Sequence, residues 1–372
     1  MRRKLLSAAP LLLAVLVVGW VALALSACGS GAQENKKSES GGSAATNGQI
    51  VFRRYFDPDQ TKSALFTMNP DGSHVSQITH PPEGWRDDFP VWSPDGTKVA
   101  FQRQRSDESI SRIMVVNADT GDMREVTHCG PDQGWTKEHP APPGQCVSDF
   151  HPAFSPDGDW LAFTRILGPD TDAGRIVGVW IVRPEGSDPH QLTNVKPKLP
   201  QAFSDWGPQF SPDGKTLVFE RLHEADERNA VFVQPIDSTG SPEDAHQITP
   251  WNLHCQDHPE FSPDAKLVLF RCLPKGKEGP SNVYWAHPDG TSLHQLTHAP
   301  ADKQYLGPSF SPSFSEGQGW ITVGRTSGYG DEGNADVFRL LIKDGEVVRE
   351  LNLTKSAIWD SNPNWGSDQP VR

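Results

Sequence analysis

Several things are scarce in this chain. Its 372 residues include only 4 methionines and 4 tyrosines, and its body shows no long stretch with helical apolar periodicity, which argues against a helical core. Cationic side chains are also few: 34 Lys and Arg stand against 47 Asp and Glu, a formal net charge of −13. Arg2, Arg3 and Lys4 lie in a segment expected to be removed, so the mature chain is near −16. That balance argues against nucleic acid or an anionic membrane surface as partner. Catalytic signatures are missing too. No G-x-S-x-G elbow, H-E-x-x-H helix or Walker loop occurs, and no residues remain for a separate hydrolase domain. Residues 328–333, G-Y-G-D-E-G, match G-x-G-x-x-G, but a strand pattern over 335–340 follows them. Without a helix N-terminus there is nothing to hold a pyrophosphate.

What is abundant is turn chemistry, with 33 glycines and 33 prolines. Ahead of it stands an address. Residues 1–4 are a basic start, residues 5–27 are apolar and small, and the stretch ends Leu-Ser-Ala-Cys at Cys28. This pattern predicts a secretory leader over 1–27 rather than a piece of the fold. An uncleaved anchor is the competing reading, but a cysteine at that place followed by small polar residues resembles the bacterial lipoprotein signal, which implies lipidation at Cys28. Residues 28–48 are rich in Gly, Ser, Lys, Glu and Asn and predict a disordered tether. Twenty such residues span roughly 25 Å root-mean-square. The expected location is therefore extracytoplasmic, lipid-anchored in a bacterial cell envelope. Four further cysteines, Cys129, Cys146, Cys255 and Cys272, fit an oxidising compartment, and spacing alone leaves all three of their pairings open.

The body is organised by a unit seen most clearly from Asp205 to Arg221, D-W-G-P-Q-F-S-P-D-G-K-T-L-V-F-E-R. An extended segment runs into Ser-Pro-Asp-Gly and out into an alternating apolar segment. Proline sets φ for the first turn position and glycine accepts φ > 0 at its exit, so the unit predicts a hairpin. Its proline recurs at Pro90, Pro152, Pro208, Pro259, Pro308 and Pro363, at intervals of 49 to 62 residues. A third short strand follows each hairpin (113–116, 179–182, 231–233, 283–285, 337–341). A turn then leads to a fourth expected to end near Thr127, Thr193, Thr249, Thr297 or Thr354. Four short strands at a period near fifty predict an all-β propeller of six blades. Residues 50–79 lack a first strand and residues 360–365 supply one alone. The first blade is thus expected to be closed by both termini, which removes two free sheet edges. The propeller should occupy 49–366, with a tail over 367–372.

The repeated P-x-[FW]-S-P-D-G resembles the TolB-type, WD40-like (PD40) propeller family over residues 49–366. That family implies a six-bladed propeller, and its members include binding proteins, accessory domains of peptidases and sugar-acid lyases, so the fold leaves function open.

If each first strand starts near the axis at the top, the Ser-Pro-Asp-Gly turns lie at the bottom. The top then receives the longer connections, at 102–111, 128–148, 165–175, 222–229, 273–281 and 325–334. Long loops on one face usually carry a binding surface. Several are acidic, with Asp57 and Asp59, Asp107 and Glu108, Asp170 and Asp172, Glu224, Asp226 and Glu227, and Asp331 and Glu332.

Three residues before the repeat proline stand Asp87, Asp149, Asp205, Gln256, Tyr305 and Asp360. These carboxylates could form a ring at the channel mouth that binds Ca2+ or a cationic peptide end. Thirteen residues after the proline stand Arg103, Arg165, Arg221 and Cys272, with Arg54 across the closure and Arg325 in the sixth copy. These face the aspartates across the hairpin, so the preferred reading is a structural Asp–Arg latch. Blade five places Cys255 opposite Cys272 instead. A disulfide there leaves Cys129 to pair with Cys146.

Just before the proline stand Phe89, His151, Gly207, His258, Gly307 and Asn362, which should line the channel. His151 and His258 with nearby carboxylates, Asp88 among them, could hold a transition metal, although backbone-bonded channel histidines are commoner. Trp85, Trp135, Trp206, Trp251 and Trp359 fall in top loops or where first strands begin, where they could stack on sugar rings or anchor a peptide. The sequence therefore favours a monomeric, non-catalytic module binding an envelope protein, peptide or glycan on its top face. The alternative is a lyase or hydrolase acting on an acidic or sugar substrate through the channel histidines and carboxylates.

Overall fold

In the computed structural model, which describes residues 48–131, 139, 141–168, 175–194, 203–273, 279–327 and 334–367, the Ser-Pro-Asp-Gly turn is closed by side chains as well as backbone. Ser93, Ser155, Ser211 and Ser262 each donate Oγ–H to the aspartate two residues on, at 2.5 to 2.7 Å. The same serine oxygens accept the backbone N–H five residues ahead at 2.9 to 3.0 Å. The exits at Gly96, Gly158 and Gly214 have φ of 67° to 76°, and Ala265 takes that place in the fifth copy at φ 58°. The motif recurs because it fixes a reversal locally, before any tertiary contact exists.

Six four-stranded antiparallel sheets result. Blades two to six start their innermost strands at Trp85–Trp92, Cys146–Phe154, Phe203–Phe210, Cys255–Phe261 and Tyr305–Phe310. Blade one takes its innermost strand, Asp360–Trp365, from the C-terminal end and pairs it with Ile50–Tyr55. The core lies between blades. One apolar cluster joins blades one and two, and similar clusters occupy the five other junctions, including that between blades six and one. Five of the six second strands send a phenylalanine into their junction, and the sixth sends Val323. Phe52, Phe101, Phe163, Phe219 and Phe270 are fully buried.

Of two expectations about the outer strands and top connections, the first holds and the second needs correction. The fourth strands end near the threonines, two residues before each, at Glu125, Gln191, Gln247, Gln295 and Asn352. Each threonine is a clasp whose hydroxyl accepts a backbone N–H of the third strand, as Thr249 does from Val231 at 2.9 Å and Thr127 from Ile113 at 3.0 Å. The top connections at 102–111 and 222–229 are half ladder rather than all loop. Strands Lys98–Arg105 and Ser111–Asn117 leave a short turn, as do Thr216–His223 and Arg228–Pro235. Charged side chains hid this continuation, because these hairpin tips project into water.

The leader, the tether, Cys28, Trp135, the acidic pairs Asp170 with Asp172 and Asp331 with Glu332, the 328–333 motif and the tail from 368 lie outside the described residues. Among the described residues no helix is long and apolar enough to cross a membrane.

Candidate functional site

At the top of the innermost strands the repeat aspartates meet the repeat arginines. Asp87 and Arg103, Asp149 and Arg165, Asp205 and Arg221, and Asp360 and Arg54 are direct cross-strand partners. Each guanidinium binds its carboxylate through two N–H groups at 2.7 to 3.0 Å. All four aspartates are fully buried. Burial pushes the Asp87 and Asp360 carboxyls up against the pull of their arginines. With both oxygens of each carboxylate taken by a cation of the same hairpin, the ring is a poor host for Ca2+. Blade five replaces the latch with the disulfide Cys255–Cys272, whose residues are also direct cross-strand partners. The second disulfide joins Cys129 to Cys146.

Below the latch every innermost strand bulges. The six residues that precede the repeat proline all have positive φ: Phe89 49°, His151 56°, Gly207 56°, His258 55°, Gly307 48° and Asn362 52°. A left-handed backbone is uncommon for phenylalanine and histidine, and a following proline disfavours it less than it disfavours helix. Recurrence in all six blades makes this a demand of the fold. The bulge turns these six positions toward the axis. At Gly307 a Cβ would sit 3.2 Å from Asn362 Cα, so a side chain there would crowd its neighbour.

The result is an aromatic plug. The His151 and His258 rings meet edge-on at 4.3 Å, and the Phe89 ring lies 4.5 Å from the first and 4.6 Å from the second. Asn362 donates Nδ2–H to Asp88 at 2.9 Å, and Asp88 also takes the Arg53 guanidinium. Beneath the plug is a cavity of about 40 Å³ bordered by Glu260, Gln209, Ser309 and Asn364. Above it is one of about 310 Å³, walled by the plug, Trp206, Glu220, Gln256, Asp257 and Arg271. A third hollow of about 760 Å³ opens outward between blades four and five, and shares Leu222, Gln256 and Arg271 with the second.

Blade five creates this asymmetry. Its innermost strand carries three residues between Gln256 and Glu260 where blade two carries two between Asp88 and Val91. The additional residue is Asp257, with φ 76°. Its carboxylate accepts the Gly307 N–H at 2.7 Å and lies 3.1 Å from Arg271 Nε. Burial works to raise the Asp257 pKa, but Arg271, then His258, the Gly307 N–H and Arg53, hold it below the usual carboxylate range. Glu220 accepts the Asp257 N–H at 3.2 Å and Asn229 Nδ2–H at 2.6 Å. Burial outweighs these contacts and pushes its carboxyl up to about 7. Burial, helped by His258, holds His151 well below 6.5. Burial also lowers His258, against Asp257 and Asp88. Both imidazoles are therefore neutral at pH 7.

Among the residues singled out from sequence, Trp206, His151 and His258 line the upper cavity, with Phe89. Asp88 and Asn362 brace the plug. Trp85 lies away from that cavity, with the Arg105 and Arg112 guanidinium carbons 5.8 and 5.6 Å from its ring. Trp359 donates Nε1–H to Ser361 at 3.2 Å. Trp251 stacks on Phe203 at 6.4 Å. The three-member cluster Cys129, Cys146 and Asp149 has metal-ligand spacing, but its sulfurs are joined to each other. Glu220, Asp257, Arg271 and Glu260 did not stand out in the sequence. The available signal was the position after the repeat proline, apolar at Val91 and Ala153 but polar at Gln209, Glu260, Ser309 and Asn364.

No family model matches the chain. Over 160 residues, 34% of its length, it is 25% identical to the uncharacterized peptidase YuxL of Bacillus subtilis (strain 168), and the match spans only 22% of that protein. TolB from Acinetobacter baumannii superimposes with a TM-score of 0.54 at 16% identity, covering 87% of this chain and 67% of that one. Hydrazine synthase of Kuenenia stuttgartiensis gives 0.59 at 13% identity, over 87% of this chain and 47% of that one. At these identities the likeness is one of fold. The chain is a six-bladed β-propeller with the TolB-like architecture.

Proposed function

We propose that this is an extracytoplasmic, lipid-anchored propeller that binds a protein, peptide or envelope glycan on its top face without transforming it. The observation that carries this reading is the linked pair of cavities, running from the plugged channel mouth to the seam of blades four and five. Their described lining has aromatic, amide, imidazole, carboxylate and guanidinium groups but no hydroxyl, thiol or amine nucleophile. Such a mixture orients a ligand through a few polar contacts against an apolar wall. Two disulfides suit an oxidising compartment. The predicted leader, lipidated Cys28 and tether 28–48 would hold the propeller close to a membrane face, as a monomer.

A lyase or hydrolase reading is favoured by one specific observation. His151 Nδ1 is buried without a hydrogen-bond partner, and Glu220, poised near neutrality, lines the same cavity. A neutral base and a protonated acid together are what proton transfer requires.

Crosslinking capture of the mature protein from its own envelope tests the binding reading. Wild type should retain a defined component that Trp206→Ala and Glu220→Gln lose. Equal capture by all three proteins would refute a top-face site. A component chemically altered by wild type but not by His151→Ala would favour the enzyme.

A further inference from the structure

This inference rests on the binding-module reading and names its ligand class. A sugar ring presents C–H faces that pack on aromatic side chains, and hydroxyls that each donate and accept. A site built for it needs an apolar wall beside interleaved donors and acceptors. The upper cavity offers that combination. Trp206 and Phe89 form the wall, Glu220 and Asp257 accept, Arg271 donates, and Gln256 does both.

Two buried polar atoms at this seam lack partners. Asn229 spends its amide N–H groups on Glu220 and Gln256, each at 2.6 Å, while its Oδ1 has no donor. His151, a residue lining the cavity, has a buried Nδ1 that is likewise unpaired. Leaving such atoms unsatisfied is costly, and both are shut off from water, so the seam stores polar capacity that only a local rearrangement would bring to a ligand.

The outer hollow distinguishes among ligands. Leu222 and Leu273 are its apolar residues, and the other eight that line it are polar. A docked peptide uses a free strand edge or apolar pockets for alternate side chains, and this lining supplies neither in quantity. Glu224, Asp226 and Glu227 would repel an acidic saccharide. Because the two hollows share Leu222, Gln256 and Arg271, a ligand longer than one ring can continue from one into the other.

We infer that the linked cavities bind a neutral oligosaccharide, with its terminal ring on Trp206 and its following units in the hollow between blades four and five.

Isothermal titration of the purified protein tests this with maltotetraose, cellotetraose, chitotetraose and mannotetraose. Tetragalacturonate serves as the acidic sugar and tetralysine as the peptide. At least one neutral tetrasaccharide should bind saturably and better than tetragalacturonate. Trp206→Ala should weaken that binding by about tenfold or more. Gln256→Ala, which removes no core side chain, provides a second variant should the first fail to fold. Trp160→Phe, at a bottom turn, should leave affinity unchanged. The inference is overturned if none of the four neutral sugars binds, or if binding survives intact in both cavity variants. Capture of an envelope peptide or protein at the same cavity, without sugar binding, would overturn the saccharide and leave the binding-module reading standing.

Discussion

Glu260 gives the sharpest thermodynamic prediction. It sits on the innermost strand of blade five, against the small cavity beneath the plug. Burial pushes its carboxyl from 4.5 up to about 8, against hydrogen bonds from Ser309 and the Phe310 N–H. Among the described residues no cationic side chain forms an ion pair with it. The folded state therefore keeps a proton that the unfolded chain gives up as pH passes 4.5. The penalty is absent below that pH, grows through the interval, and is complete above pH 8. A gap of about 3.5 units at about 1.4 kcal/mol each sets a ceiling of roughly 5 kcal/mol. Local relaxation and water entry should bring the effective penalty to about 2–3 kcal/mol. Glu260→Gln keeps the shape and one acceptor but cannot ionise. It should stabilise the protein by that amount at pH 9 and have little effect at pH 4. Urea unfolding followed by tryptophan fluorescence at both pH values measures the difference directly. A variant less stable than wild type at pH 9, or an equal change at both pH values, would refute the reasoning.

Other outcomes follow from the same geometry. Asp205→Ala should cost about 3–5 kcal/mol, because it strands Arg221 in a buried site, and chemical denaturation will read it. The double variant Asp205→Cys with Arg221→Cys should form a disulfide, as Cys255 and Cys272 do at the equivalent register. Two free thiols by mass spectrometry after oxidative folding would contradict that equivalence. Phe219→Ala, at the junction of blades three and four, should lose about 3–5 kcal/mol. Cys28→Ser should give either released protein or unprocessed chain still held by its leader, and a variant that stays bound with its leader removed would refute lipid anchoring.

The fold was legible because its signals are local. Ser-Pro-Asp-Gly carries its own serine–aspartate clasp, so a short string fixes each reversal, and counting reversals led to six blades and closure through residues 360–365. The role of the threonines was not legible for a related reason. Thr127 and Thr249 act across the sheet on a neighbouring strand, a contact that spacing along the chain does not display. The site was legible in part. His151, His258 and Phe89 could be placed on the axis from the repeat frame. That the three rings close on each other depends on the left-handed bulge, which no motif announces. Asp257 was hidden because it lengthens one bulge by a residue, so an alignment on Pro259 alone shifts Gln256 into the aspartate position. Glu220 and Arg271 are ordinary polar residues of second strands, and they become a site only where blade four meets blade five.

The central claim is that ligand enters at the top of blades four and five. A photo-crosslinking amino acid placed at Leu222, shared by both upper cavities, and separately at Asp157, in a bottom turn, tests it in living envelope. The account predicts a discrete adduct from position 222, lost with Trp206→Ala, and none from position 157. Adducts from position 157 alone, or adducts from position 222 indifferent to Trp206, would contradict it.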